Sequence, residues 1–321
     1  MTGMSPAERR GAVQSRRWTP AFAGLLGLAL AGCATTMAAP QPSPQPAPYV
    51  RTSPEPLVVI PPAGPPNSMR WLYGSGEAAA LSIQAFNAFR DYALGAARTR
   101  PRDSMVLAAD ATLAAPRYVP CGNKPLAVVL DADETVLLNL GYEYHEARSG
   151  MPYNQQVWNR WERTGADRVS PVPGAVDALR ALRQAGITIV FNTNRQASQA
   201  AATEAALAFA GVGPARHGET LFMSGDDDSG SRKDARRARI AERYCVLALA
   251  GDQLGDFSDL FGASTLSIPE RRRLAAAGAM AQRWGNGWFL LPNPVYGSGV
   301  RGSFDDVFPQ DRRWTDPGGE E

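Results

Sequence analysis

Residues 126–134, with the sequence LAVVLDADE, constrain the fold of this chain more than any other stretch. Five apolar residues run without alternation into two aspartates, Asp131 and Asp133, and the run is too short for a buried helix and too uniform for a half-exposed strand. The pattern predicts a central strand of a parallel sheet. Because ligands bind beyond the carboxyl ends of such strands, both aspartates lie where a site is expected.

The two aspartates stand at positions i and i+2, so their carboxylates repel each other unless they share a proton or a cation. Mg²⁺ is the hard cation that such oxygen ligands suit. Taken alone, a D-x-D pair is equally typical of a helix cap or a solvated turn.

Three more short apolar runs follow along the chain, at residues 187–191, 220–223 and 245–250. They alternate with helical patterns, which predicts an α/β fold with a doubly wound parallel sheet. Polar residues follow these runs as Asp131 and Asp133 follow the first: Thr193, Asn194, Lys233, Asp252 and Asp256. Because the ends of parallel strands meet at one edge, we expect one pocket, and the chemistry that this set can perform is phosphoryl transfer.

Lys233 opens a basic helix, KDARRARIAERY, whose arginines are Arg236, Arg237, Arg239 and Arg243. The formal charge of the chain is only +2, from 33 basic and 31 acidic residues. On a helix of a nearly neutral chain we expect these arginines to form a solvated face, and we expect no nucleic-acid polymer as a partner.

The first 33 residues have the pattern of a signal peptide, with a basic stretch followed by an apolar run of about a dozen residues. The run ends in LAGC, which resembles the lipobox of bacterial lipoproteins and implies that Cys33 is lipidated. The residue after the cysteine is Ala34 and not an aspartate, and in this the sequence resembles lipoproteins that are sorted to the outer membrane. We therefore expect a lipid anchor in the outer membrane, with the chain on its periplasmic or cell-surface side.

The remaining boundaries follow from composition. Residues 34–66 are rich in proline and predict an extended linker. Residues 67–303 form the predicted catalytic domain, with a helical N-terminal extension and a small cap insertion at about residues 136–170, after the first strand. Residues 304–321, rich in charge, proline and glycine, are expected to be a disordered tail.

Four motifs in this order resemble the haloacid dehalogenase (HAD) superfamily of phosphatases: LDADET, FNTNR, Lys233 and GDQLGD. The lipoprotein-like start, the leading helix, the insertion and LPNPVYGS at residues 291–298 narrow the resemblance to class C acid phosphatases, the lipoprotein e family of 5′-nucleotidases. The resemblance covers about residues 70–298 and implies a HAD-like Rossmannoid fold. It also suggests a homodimer.

The resemblance implies a role for each motif residue. Asp131 would be the nucleophile and Asp133 the general acid and base. Mg²⁺ would be held by the side chains of Asp131 and Asp252 and by the backbone carbonyl of Asp133. The remaining residues have supporting roles: Thr193, Asn194 and Lys233 would bind phosphate, and Asp256 would orient Lys233 or a metal-bound water.

The insertion and the LPNPVYGS segment contribute aromatic residues that are candidates for stacking on a nucleobase or nicotinamide: Tyr142, Tyr144, Trp158, Trp161 and Tyr296. The sequence thus predicts a Mg²⁺-dependent acid phosphatase that acts on small phosphomonoesters such as 5′-nucleotides or nicotinamide mononucleotide. Two alternatives stay open, namely a broad phosphatase of sugar or aryl phosphates and a lipid-anchored binding protein without catalysis.

Cys121 and Cys245 each precede a strand that ends in a catalytic motif, and in this fold the two strands are expected to be neighbours. A disulfide fits an oxidising compartment. Because the strand registers are not known from sequence, the disulfide stays open, and we favour two buried thiols over it.

Overall fold

A computed structural model of the chain describes residues 64–262, 264 and 266–318. These residues lie in one compact unit, Leu57–Glu321. The predicted signal peptide, Cys33 and nearly all of the predicted linker lie outside the described residues.

Strands and helices alternate through most of the described chain, as predicted. The strands are β1 (Asp103–Leu107), β2 (Tyr118–Pro120), β3 (Leu126–Leu130), β4 (Leu137–Leu138), β5 (Ser170–Pro171), β6 (Thr188–Gln196), β7 (Leu221–Ser224), β8 (Cys245–Gly251) and β9 (Trp288–Leu290). The α-helices are α1 (Asn67–Gly74), α2 (Gly76–Thr99), α3 (Leu140–Ser149), α4 (Gln155–Thr164), α5 (Ala175–Gln184), α6 (Ala200–Phe209), α7 (Asp234–Arg243), α8 (Ile268–Ala276), α9 (Gly278–Ala281) and α10 (Phe304–Val307).

The central sheet has five parallel strands in the order β7-β6-β3-β8-β9. Strand β3 lies in the middle, where Leu130 pairs with Phe191 of β6 on one side and with Ala250 of β8 on the other. The α/β fold with a parallel sheet is confirmed. The register brings the ends of β3, β6 and β8 to one edge, so the residues that follow them are neighbours.

Helices cover both faces of the sheet because alternate side chains of each strand point to opposite faces. On one face, Val128 and Leu130 of β3 pack with residues of α2, α5 and α6. On the other, Ala127 and Val129 pack with α7 and with the aromatic side chain of Trp288. The two cores hold β3 rigidly, and this rigidity fixes the position of the residues that follow it.

The insertion after β3 contains two helices, α3 and α4, and it is closed by the antiparallel pair β4–β5. The ring of Tyr142 packs edge-on against Trp158, with centroids 4.7 Å apart, and lies 6.3 Å from the ring of Trp161. The insertion therefore has its own small aromatic core.

Cys121 and Cys245 form a disulfide, with their Cα atoms 4.5 Å apart. The expectation of two free thiols is wrong. Cys245 pairs with Leu126 in the β8–β3 register, and that register brings Cys121, just upstream of β3, next to Cys245.

The predicted tail contains two described helical turns, α10, which Ser303 caps by accepting from the backbone N–H of Asp306, and a 3₁₀ turn at Gln310–Arg312. The side chains of residues 304–318 are mostly exposed. Among the helices of the described residues, none has the length and apolar character needed to cross a bilayer.

Candidate active site

The side chain of Lys233 joins two carboxylates at the edge of the sheet. Its ammonium group donates to Oδ1 of Asp131, at the end of β3, and to Oδ1 of Asp256, at 2.6 Å. Lys233 itself is held by its backbone N–H, which donates to Oδ1 of Asp259 at 2.9 Å. The structure buries all three side chains, those of Lys233, Asp131 and Asp256. The structure thus brings together residues from three separate motifs.

Gly251, the last residue of β8, allows Asp256 to reach this position. A Cβ atom at residue 251 would overlap the side chain of Asp256. The backbone N–H of Gln253 donates to Oδ2 of Asp256 at 2.9 Å and fixes the carboxylate. Residue 251 is therefore required to be glycine for a steric reason.

Asp252 completes a cluster of three carboxylates. One oxygen from each of Asp131, Asp252 and Asp256 lies within 4.8 Å of the others. Asp252 accepts hydrogen bonds from Thr135 at 3.2 Å and from Asn293 at 2.8 Å. These bonds aim its carboxylate at the cluster.

Burial and mutual repulsion disfavour ionisation in this cluster. Burial raises the pKa of Asp131 well above its usual range, the charge of Lys233 opposes that effect, and the neighbouring carboxylates add to it. Burial, followed by repulsion from Asp256, raises the pKa of Asp252 to about 7. Burial lowers the pKa of Lys233, but Asp131 and Asp256 outweigh it, so this pKa is raised.

One lysine cannot neutralise three buried carboxylates, so the cluster fits a divalent cation. The donor set is all oxygen and is held by bonds to Thr135, Asn293 and Gln253, as a site for a hard cation requires. The metal ligands predicted from the sequence through their side chains, Asp131 and Asp252, both lie in this cluster.

The carboxylate of Asp133 lies in a different network. Its Oδ1 accepts from Nε of Arg195 and from Nδ2 of Asn139, both at 2.9 Å, and it forms an ion pair with Nη2 of Arg195 at 2.8 Å. Nη2 of Arg195 also donates to Oδ1 of Asn139 at 2.8 Å. The three side chains therefore form a closed ring.

Glu134, next to Asp133, is the only described non-glycine residue besides Arg100 with a positive φ, at 52°. Its buried carboxylate accepts from the backbone N–H of Asn139 at 3.0 Å and from the hydroxyls of Tyr73, at 3.3 Å, and Tyr296. Burial, followed by the charge of Asp133, raises the pKa of Glu134 to about 7. These bonds hold the turn that follows β3 in its left-handed conformation.

The predicted phosphate-binding residues Thr193 and Asn194 lie in the last part of β6. The hydroxyl of Thr193 accepts from the backbone N–H of Arg195 at 3.2 Å. Oδ1 of Asn194 accepts from Nη2 of Arg236 at 2.7 Å, and Oδ1 of Asn192 accepts from Nε of the same arginine at 2.9 Å. A 3₁₀ turn at Ala197–Gln199 follows β6 and precedes α6.

The expectation that the arginines of α7 form a solvated face is wrong for Arg236 and Arg237, which are almost completely buried. Arg236 holds the end of β6, as described above. Arg237 donates to the backbone carbonyls of Gly255 and Asp256, both at 2.9 Å. Both arginines support loops of the site. The number of charged residues along the helix could not indicate this role.

The five aromatic candidates for base stacking lie in three different environments. Tyr142, Trp158 and Trp161 pack on each other. Tyr144 is 69% exposed and lines a cleft of about 710 Å³ between α1 and α3. Tyr296 has its ring partly at the surface and its hydroxyl on Glu134.

Sequence reasoning missed several residues that shape the site, namely Glu134, Thr135, Asn139, Arg195, Arg236, Gln253 and Asn293. Most of them stand inside or directly beside the recognised motifs, and that adjacency is the one signal that could have identified them. Their partners lie up to 162 residues away, as for Glu134 and Tyr296, so no local pattern reveals the contacts.

Comparison with known proteins is consistent with this geometry. Residues 78–299 match a family model described as HAD superfamily, subfamily IIIB (acid phosphatase). A crystal structure of a class C acid phosphatase from Bacillus anthracis with tungstate bound is 25% identical, covers 72% of this chain and 84% of that chain, and gives a TM-score of 0.57. A second structure of the class C acid phosphatase from Bacillus anthracis is 26% identical, with the same coverage and TM-score.

Proposed function

The chain belongs to the HAD superfamily, subfamily IIIB (acid phosphatase), and we propose that it is a Mg²⁺-dependent phosphatase that uses Asp131 as a covalent nucleophile. The coarser activity follows from the family, since the chain is a class C acid phosphatase and hydrolyses phosphomonoesters with a divalent metal. The observation that carries the finer proposal is the position of Lys233 between Asp131 and Asp256, beside Asp252.

The buried carboxylates offer the oxygen ligands that Mg²⁺ prefers. Asp131 and Asp252 would hold it through their side chains, and Asp133 would hold it through its backbone carbonyl. When bound, the metal offsets the charge of the carboxylates and of the phosphoryl oxygens, so that a carboxylate can approach an anionic substrate. Asp256 acts on Lys233 directly, through the hydrogen bond of 2.6 Å.

In the proposed reaction, a carboxylate oxygen of Asp131 attacks phosphorus, and the bond from phosphorus to the leaving oxygen breaks with its electron pair on that oxygen. Asp133 gives its proton to the leaving oxygen, and the alcohol departs. The phosphoryl group then remains on Asp131 as an aspartyl-phosphate. Lys233 neutralises negative charge on Asp131 and on the phosphoryl group, while Thr193 and Asn194 hold phosphoryl oxygens.

The second half of the reaction uses the same groups. Asp133, now a carboxylate, takes a proton from water while the water oxygen attacks phosphorus. The bond between phosphorus and Asp131 breaks, Asp131 becomes a free carboxylate again, and inorganic phosphate leaves. The net reaction consumes one phosphomonoester and one water and yields one alcohol and one phosphate.

The proposed substrates are 5′-nucleotides, including nicotinamide mononucleotide, because Tyr144 and Tyr296 offer aromatic surface near the insertion. The packing of Tyr142, Trp158 and Trp161 on each other supports a second candidate, a broad phosphatase of sugar and aryl phosphates, since rings that pack together are less free to stack on a base.

We place the enzyme in the periplasm or at the cell surface, anchored through Cys33 in the outer membrane. The signal-like sequence of residues 1–33 supports this proposal. The disulfide between Cys121 and Cys245 supports it independently, because such bonds persist in oxidising compartments.

The test is phosphate release by the full chain in mild detergent, with Mg²⁺ or with EDTA. The substrates are 5′-nucleotides, nicotinamide mononucleotide, glucose 6-phosphate and an aryl phosphate. We expect Mg²⁺-dependent turnover that is fastest with the nucleotides. Equal rates on all four classes would favour the broad phosphatase, and turnover that persists in EDTA would contradict the metal dependence.

A further inference from the structure

The hydrogen bonds of Asp133 are distributed unequally between its two oxygens. Oδ1 accepts both of them, one from Nε of Arg195 and one from Nδ2 of Asn139, and Nη2 of Arg195 forms an ion pair with the same oxygen at 2.8 Å. Among the described residues, no hydrogen-bond donor reaches Oδ2. The side chain of Asp133 is 15% exposed, whereas that of Arg195 is only 2% exposed. One oxygen of the carboxylate is therefore held by a buried group, and the other is free.

From this asymmetry we infer that Arg195 and Asn139 are positioning residues that fix the general acid, so that Oδ2 of Asp133 is the oxygen that carries the proton to the leaving group. Oδ1 faces a guanidinium and an amide group that can only donate to it, whereas Oδ2 has no such partner among the described residues. Oδ2 is therefore the oxygen that is left to exchange a proton with the leaving group. This inference rests on the proposed function, since it assumes that Asp133 is the general acid.

Asn139 closes the ring that holds Asp133. Its Nδ2 donates to Asp133 while its Oδ1 accepts from Arg195 at 2.8 Å, so the amide orientation is set by the arginine. Asn139 is completely buried, and its backbone N–H donates to Glu134 at 3.0 Å. The ring is thus anchored to the turn that follows β3.

The insertion holds Arg195 from the other side. The guanidinium carbon lies 5.9 Å from the ring centroid of Trp158 in α4. Glu162, one turn further along α4, is buried and accepts from the backbone N–H of Gln196 at 3.2 Å, next to Arg195. Part of the aromatic insertion therefore serves the general acid through Arg195.

General acid catalysis matters most when the leaving oxygen is strongly basic, and this dependence provides the test. We would measure kcat/KM of the full-length enzyme with 4-nitrophenyl phosphate, whose leaving oxygen needs little protonation, and with phenyl phosphate, whose leaving oxygen needs it. The value of kcat/KM reports the steps up to formation of the phosphoenzyme. The inhibition constant of inorganic phosphate, measured alongside, reports on phosphate binding.

We expect Arg195→Met to lower kcat/KM about 100-fold for phenyl phosphate and less than about fivefold for 4-nitrophenyl phosphate. Arg195→Lys, which keeps one charged donor, should recover about tenfold of the loss with phenyl phosphate. Asn139→Ala, which changes no charge, should show the same leaving-group dependence if the arginine variant folds poorly. The inhibition constant of phosphate should stay unchanged in Arg195→Lys.

Arg236→Met is the matched control, because Arg236 is also buried but contacts Asn192 and Asn194 instead of Asp133. It should slow both substrates by the same factor. In an Asp133→Asn background, Arg195→Met should cause no further loss with phenyl phosphate, since the arginine acts through Asp133.

Equal losses with both substrates in Arg195→Met and Asn139→Ala, or an additive loss in the double variant, would overturn the inference alone. A weaker inhibition by phosphate in Arg195→Lys would also overturn it, because Arg195 would then be a phosphate ligand. If Asp133→Asn itself slows both substrates equally, the proposed role of Asp133 fails as well, so the two failures are distinguishable.

Discussion

The ammonium group of Lys233 donates a hydrogen bond to the carboxylate of Asp131, although the two residues are 102 positions apart in the sequence. One stands at the end of the central strand and the other at the start of α7. Both side chains are at most 9% exposed. The contact therefore joins two motifs into one buried charged site.

We expect Lys233→Met to leave Asp131 and Asp256 buried without a compensating charge. In EDTA the free energy of unfolding should fall by about 3–5 kcal/mol, the usual loss when one partner of a buried ion pair is removed. The phosphatase rate should fall about 10²–10³-fold. Guanidinium unfolding with and without Mg²⁺ measures the first effect, and added Mg²⁺ should recover part of the stability.

Lys124→Met is the matched control, because the Lys124 ammonium donates to a neutral acceptor, the backbone carbonyl of Ala241, at 2.6 Å. This variant should lose about 1 kcal/mol of unfolding free energy, and the loss should not depend on Mg²⁺. An unfolding free energy of Lys233→Met that matches wild type in EDTA would show that the lysine does not balance the carboxylates.

Metal binding to the carboxylate cluster should stabilise the folded protein by mass action. At a Mg²⁺ concentration of about 100 times Kd, the gain is about 2.7 kcal/mol and appears as a higher Tm. Asp252→Asn should weaken this effect strongly, whereas Asp177→Asn, at an exposed position on α5, should not. If Asp252→Asn responds to Mg²⁺ as wild type does, the cation does not bind at this cluster.

Much of the fold follows from the sequence because the apolar strands are short, continuous and separated by helical patterns. The bounds of β3 coincide with the apolar run of the central motif. The polar residues near the carboxyl ends of these strands, such as Asp131, Thr193 and Asp252, could be predicted from the same pattern. Strand order brings them together, and strand order is a property of the fold class.

The support of the site could not be predicted in the same way. Arg236 looks like any arginine on a basic helix, and only tertiary structure shows that it is buried on Asn192 and Asn194. The disulfide depends on a register between β3 and β8 that no local pattern specifies. Such contacts depend on distances between elements, which sequence periodicity does not contain.

The disulfide should contribute to stability by restricting the unfolded chain. Cys121 and Cys245 are 124 residues apart, and chain entropy for a loop of this length gives an upper value of about 5 kcal/mol. We expect the double variant Cys121→Ala/Cys245→Ala to lose about 3–5 kcal/mol in chemical unfolding. Wild type in a reducing agent should match the variant, and a wild type that is equally stable when reduced would refute this contribution.

The buried Glu143 should make stability depend on pH. Burial, then the charges of Glu134 and Glu146, raise its pKa from 4.5 to about 9. The folded state keeps a proton that the unfolded chain releases above pH 4.5, so the contribution of this group is greatest below pH 4.5 and is lost as the pH rises towards 9.

Glu143→Gln, which is always neutral, should therefore be more stable than wild type at pH 8, by on the order of 1–3 kcal/mol, and equal to it near pH 4. Unfolding free energies in EDTA across this range provide the measurement. Glu242→Gln, at an exposed position, is the control and should follow wild type. Parallel curves for Glu143→Gln and wild type would show that Glu143 titrates normally.

The most direct test of the account is phosphate release by Asp131→Asn, because the side chain keeps its shape and loses only its nucleophilic charge. With Mg²⁺ and a 5′-nucleotide, we predict that turnover falls by at least about 10³-fold while the circular dichroism spectrum stays that of wild type. Turnover within tenfold of wild type would contradict the account, because the phosphoryl group could then not pass through Asp131.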